Sequence, residues 1–143
     1  MFSVRPKTIN GCLFWMLGSN DTEQIKYWQK RLNADIAAQA EFGLMAQYAL
    51  EELVKPLGSE EFGPVRSARL YRQLGEQGFQ FGVLEVQRVL DAAVRGSGND
   101  PRVSDNQAVK IRIGLFRLIA SVHEVSGDAL EDIVSRAEAR LPG

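Results

Sequence analysis

From residue 19 to near the end of the chain, apolar residues recur at steps of three and four, which gathers them on one side of a helix. A chain patterned this way over most of its length buries its apolar surface by packing helix on helix. Ile25, Trp28, Leu32 and Ile36 open the series behind a capping box formed by Asp21 and Gln24. The stripe continues through Ala40, and Phe42, Met45, Ala49 and Leu53 carry an equivalent one. Gly43 interrupts it, at about 1 kcal/mol for a glycine in a helix interior. The sequence therefore allows one long bent helix over 22–56 or two helices meeting at Gly43. Pro56 and Gly58 end the run near Leu57.

The same signals place the later helices. Gly63-Pro64 opens one, because proline suits the first helical position; Val65, Ala68, Tyr71 and Leu74 line its inner face, and Gly75 is placed to end it in the left-handed conformation. Phe79 and Phe81 follow a glycine turn, and a helix from about Gly82 to Arg95 points Val83, Val86, Val89, Leu90 and Ala93 inward. Residues 96–103 are the most turn-prone stretch and read as an exposed loop. Ser104 and Gln107 form another capping box. Beyond it, Ala108, Ile111, Leu115, Ile119 and Val122 favour a helix over the strand that residues 109–113 alone would suggest. Ser126 and Gly127 start a last helix with Leu130, Ile133, Val134, Ala137 and Leu141 inward. The predicted fold is all-α, a single domain of five or six helices. It has an extended or irregular N-terminal arm over 1–19, a helical body over 20–95 and a C-terminal helical pair over 104–141.

The arm has two readings. Asn10-Gly11 is a hairpin dipeptide that would pair Val4–Ile9 with Cys12–Leu17, but Pro6 lacks the amide proton such a ladder needs. The alternative is an irregular segment that tucks Phe14 and Trp15 onto the helices. Cys12 to Leu17 is an apolar run of six residues, shorter than a signal core or a membrane span. Cys12 heads that run and does not follow it, the reverse of a lipoprotein cleavage site. The expectation is a cytoplasmic protein without a membrane segment, with Cys12 as a small reduced apolar residue.

Composition then removes whole classes of chemistry. With 143 residues, 45% apolar, the chain is long enough for a packed core. One cysteine excludes an internal disulfide and any cysteine-based zinc cluster, and one histidine excludes sites needing two imidazoles. His123 sits late in a helical pattern beside Glu124, where a capping or surface role is the expectation. The adjacent acids Glu51-Glu52, Glu60-Glu61 and Glu131-Asp132 point about 100° apart on a helix and do not converge on a metal. Asp128 with Glu131 or Asp132 has better spacing, but acids at a helix start are expected for dipole reasons alone. Neither phosphate-loop nor dinucleotide glycine patterns occur. No catalytic residue, metal or cofactor is predicted.

Charge is balanced overall, with a net charge of −1, but unevenly spread. Residues 21–62 hold four basic and eight acidic side chains; residues 63–103 hold six basic and four acidic, and all six are arginine. Arginine suits bidentate contact with phosphates, carboxylates or guanine. Within this block, Leu70 to Leu90 resembles the helix-turn-helix of winged-helix regulators: a helix ending at Leu74-Gly75, a glycine turn, the anchor Phe81, then Val86-Gln87-Arg88-Val89-Leu90. The resemblance implies DNA contact by Arg66, Arg69, Arg72, Gln87 and Arg88. The sequence departs from it in exposing Glu85 and Asp91 toward phosphate, and the loop 96–103 with the capped stretch from Ser104 does not read clearly as a two-stranded wing. The opposing expectation is that these arginines pair with Glu51, Glu52, Glu60 or Glu61.

The leading functional expectation is a non-enzymatic regulatory or adaptor protein that acts through protein–protein contacts. Phe14, Trp15, Tyr27, Trp28 and Tyr48 are its candidate interface, since aromatics dominate such surfaces. Apolar residues on more than one side of the 22–56 helix, with Leu44, Tyr48 and Leu50 off the main stripe, add the expectation of a homodimer through that helix. A DNA-binding regulator using the 64–95 helical pair is the alternative.

Overall fold

The computed structural model describes residues 36–58, 62–76 and 81–141, apart from the side chains of 36–42, 64, 65 and 106. Among the described residues there are five α-helices and no strand: α1 (Ile36–Val54), α2 (Pro64–Glu76), α3 (Val83–Arg95), α4 (Asp105–Val122) and α5 (Gly127–Ala139). They hold more than half of the 143-residue chain. The N-terminal arm and the expected helix before Ile36 lie outside the described residues.

Helix α1 runs through Gly43 without a break. It ends in a 3-10 turn, Lys55–Leu57, and Gly58 then takes φ +79°, a left-handed value that glycine adopts without strain. α1 is the axis of the bundle, packing against α3, α4 and α5. Met45, Ala46, Ala49, Leu50, Leu53 and Val54 are all buried in consequence. That position explains why Leu50, off the main stripe, is buried together with Met45, Ala49 and Leu53.

Ser104 caps α4, its hydroxyl accepting the Gln107 amide at 3.3 Å, and Ser126 caps α5 in the same way through Ala129 at 3.2 Å. Gly96 closes α3 at φ +65°. Residues 105–122 are helical, as the longer periodicity indicated. α4 packs on α1, α2 and α3, and one continuous core draws residues from all five helices.

Four sequence expectations need correction. α2 buries Ser67, Leu70 and Leu74 while Ala68 is exposed, so its inner face is turned by one residue. Ser67 enters the core because its hydroxyl donates to the Phe62 carbonyl at 2.9 Å and so leaves no unsatisfied polar group. Gly75 is helical and not a left-handed stop, since α2 continues to Glu76. Val83 and Val122 face solvent: one is the first residue of α3, the other the last of α4.

Gly75 offers a direct test of these assignments. A Cβ there meets nothing within 4 Å, so Gly75→Ala adds only helix propensity and a less flexible unfolded chain. The expected gain is about 0.5–1 kcal/mol in urea denaturation. A loss would mean that the backbone at this position is not helical.

Candidate functional site

The residues singled out by sequence fall on the sides of α2 and α3 turned away from the core. These two helices pack on each other and on α4. With Leu70 and Leu74 inward, α2 presents Arg66, Arg69 and Arg72 to solvent. Arg69 and Arg72 form no ion pair among the described residues. With Val86, Val89, Leu90 and Ala93 inward, α3 exposes Leu84, Asp91 and, at its C-terminal end, Arg95, while Gln87 and Arg88 are half-buried. Glu85 does not project as a free acid. Its carboxylate turns back and accepts the Gly82 amide at 2.8 Å, capping α3.

Three large apolar side chains are exposed among the described residues: Val83 at 48%, Leu84 at 58% and Val122 at 52%. Val83 and Leu84 are adjacent on the first turn of α3. Fully burying a valine or leucine side chain is worth about 1.5–3 kcal/mol, so this pair is a ready source of docking energy.

The acidic pair Glu51-Glu52 is not bound by those arginines. Both carboxylates are buried on α1, and their cationic partners are Arg136 of α5 and Arg140, its C-cap. Arg140 reaches Glu51 at 2.7 Å and Glu52 at 3.0 Å, Arg136 reaches Glu52 at 3.3 Å, and Arg136 also pairs with Asp132 one turn earlier. The Gln47 amide donates to Glu51 at 3.1 Å. This corrects the expected pairing for Glu51 and Glu52; Glu60 and Glu61 lie outside the described residues. Sequence held a signal for it, the i,i+4 spacing of Arg136 and Arg140, but the same spacing is ordinary on a solvated helix.

Of the candidate protein interface, Tyr48 is half-buried against the core, with the Arg140 guanidinium 4.3 Å above its ring. Phe14, Trp15, Tyr27 and Trp28 lie outside the described residues. His123 caps the C-terminal end of α4.

Sequence reading missed the buried cation of α4 that holds the 96–103 loop. Arg112 is 6% exposed and donates to the Gly43 carbonyl at 3.4 Å and the Asn99 side chain at 3.2 Å. Burial pushes its guanidinium down from the usual arginine range, against the attraction of Glu51 and Asp105. Asn99 in turn donates to Asp105 at 2.8 Å, so the loop is tied to both α1 and α4. One residue on, hydrogen bonds from Arg102 hold the Asp100 carboxyl down at about 2, with a smaller pull from Arg88. A folded value below the ordinary 3.8 means that ionised Asp100 stabilises the fold above about pH 4, and that this contribution is lost as pH falls toward 2. The Asp100 carboxyl should therefore titrate near 2 by NMR, and Arg102→Ala should move the midpoint up toward 3.8.

No protein family, curated protein or solved structure matches the chain. No helix among the described residues is long and apolar enough to cross a membrane.

Proposed function

We propose that the protein is a non-enzymatic regulatory or adaptor module, and that it docks an acidic, amphipathic segment of another protein on the outer side of α2 and α3. The observation that carries this reading is the exposed Val83–Leu84 pair on α3, a helix packed against α2, which exposes Arg69 and Arg72. Aliphatic side chains give a partner something to bury, and arginines give carboxylates bidentate partners. Arg69 and Arg72 on α2, with Arg88 on α3, match acidic residues flanking an apolar anchor.

The test places a photo-crosslinking residue at position 84 in cells, with one at the exposed Glu131 as control. A discrete adduct at 84 that is absent at 131, and that weakens when Arg69 and Arg72 are changed to glutamate, is the expected result. Leu84→Asp should abolish binding of the identified partner and leave stability within about 0.5 kcal/mol, as expected of a surface change. A mass of twice 15.9 kDa by light scattering, reduced to one copy by Leu84→Asp, would make the partner a second copy of the chain. Identical labelling at 84 and 131 would refute the reading.

One observation favours the DNA alternative: Arg136 and Arg140, not the α2 arginines, hold Glu51 and Glu52. Phosphate contacts would give a salt slope near −0.9 per contact, reduced by about one in Arg69→Ala. The expected result is no duplex binding at low salt. A salt-sensitive complex weakened by Arg69→Ala would transfer the face to DNA.

A further inference from the structure

A second feature lies at the end of α3 opposite to the Val83–Leu84 pair. The C-terminal ends of α1, α3 and α5 converge on a cleft of about 410 Å³, within the range of roughly 300–1,000 Å³ usual for small-molecule sites. We propose that this cleft binds a small amphiphilic anion, one acidic group on a short apolar body.

The charges around the cleft carry the argument. Its charged lining is Glu51, Glu52, Lys55, Arg95 and Arg140. Arg140 already bridges both carboxylates, so the acids are engaged and offer little to a cationic ligand. Lys55 and Arg95 form no ion pair among the described residues, and the lining holds one positive charge in excess. Cations at helix ends are favoured by the helix dipole alone. At α3, however, the Ala92 and Ala93 carbonyls are already taken by the amides of Ser97 and Gly96, at 3.0 and 3.2 Å. Arg95 is not needed to satisfy them.

Val54, Ala93 and Val94 supply an apolar wall beside these cations. Gly58 and Gly96 keep the rim low, since a Cβ at either would stand in open space. An arginine fork and an ammonium group next to apolar wall suit an organic carboxylate or phosphate monoester better than a bare ion. The inference is independent of the protein-docking reading, because it uses none of the same residues.

The test is an NMR titration of the full-length ¹⁵N-labelled protein with four probes: hexanoate, hexyl phosphate, inorganic phosphate and hexylammonium. Expected are saturable shifts of the Val94, Arg95, Gly96 and Lys55 amides with at least one of the hexyl anions. The tighter of the two identifies the acid. Lys55→Ala with Arg95→Ala should weaken that binding about tenfold or more, the loss expected for charge-assisted hydrogen bonds. Both side chains are exposed, and an unchanged circular dichroism spectrum would establish that the double variant is folded. The proposal is overturned by any of three results: no saturable shift at the cleft with either hexyl anion, equal shifts with hexylammonium, or equal affinity in the double variant. Inorganic phosphate binding as tightly as hexyl phosphate would overturn the apolar part of the site.

Discussion

Phe116→Ala should lower the unfolding free energy by about 3–5 kcal/mol, a large share of the 5–15 kcal/mol typical of a domain. Phe116 is among the largest fully buried side chains, and it stands on the helix that packs against α1, α2 and α3 together. Removing the ring loses its transfer free energy, and the cavity left behind can close only if three helices shift at once. Urea denaturation reads the change as a lower midpoint with an unchanged slope. Phe116→Leu, which keeps much of the volume, should cost clearly less. A loss below about 1 kcal/mol for the alanine variant would contradict the placement of Phe116 in a tightly packed core.

The second large effect belongs to Arg140. Its guanidinium lies across two buried carboxylates and over the Tyr48 ring, so Arg140→Ala strands Glu51 without its cation and leaves Glu52 with Arg136 alone. Breaking a fully buried pair costs about 3–5 kcal/mol. The Arg140 side chain is 38% exposed, so water can reach the gap, and a loss of about 2 kcal/mol is the discounted expectation. Arg136 is more exposed, and one of its two partners, Asp132, is a surface acid. Arg136→Ala should therefore cost about 1 kcal/mol or less. The ordering is the test: equal losses from the two variants would mean that the Glu51 contact is not the stronger element of the cluster. Replacing Glu51 by glutamine in the Arg140→Ala background should recover part of the loss, because the stranded charge is then gone.

These two sites differ in how far the sequence revealed them. Phe116 lies on a helix legible from end to end. Ser104 and Gln107 mark its start, and four residues stepping from Ala108 to Ile119 mark its inner face. Local signals of that kind also located Ser126 and Gly96, because caps and stops depend on the few residues around them. The α2 face was misjudged by one position because Ser67 reads as polar, and only the nearby Phe62 carbonyl makes its burial favourable. Gly75 reads as a stop because glycine can end a helix, yet nothing in the chain requires it to. Arg140 was not legible as a partner of Glu51. The two stand 89 positions apart, and an i,i+4 arginine pair on a helix looks the same whether it faces water or a carboxylate. The arginine row of α2 was visible in composition, whereas the exposed Val83–Leu84 pair required knowing where α3 begins.

The distance between those partners also bears on the order in which the molecule is made. Helix α1 is synthesised before its cover, α5. The side of α1 destined for α5 therefore waits through the production of more than seventy residues. Pairings between remote segments form late and leave surfaces open in the meantime. Had that side been wholly apolar, it would have invited aggregation during the wait. Glu51 and Glu52 put two charges on that side, and Arg136 and Arg140 become their partners only once α5 has been made.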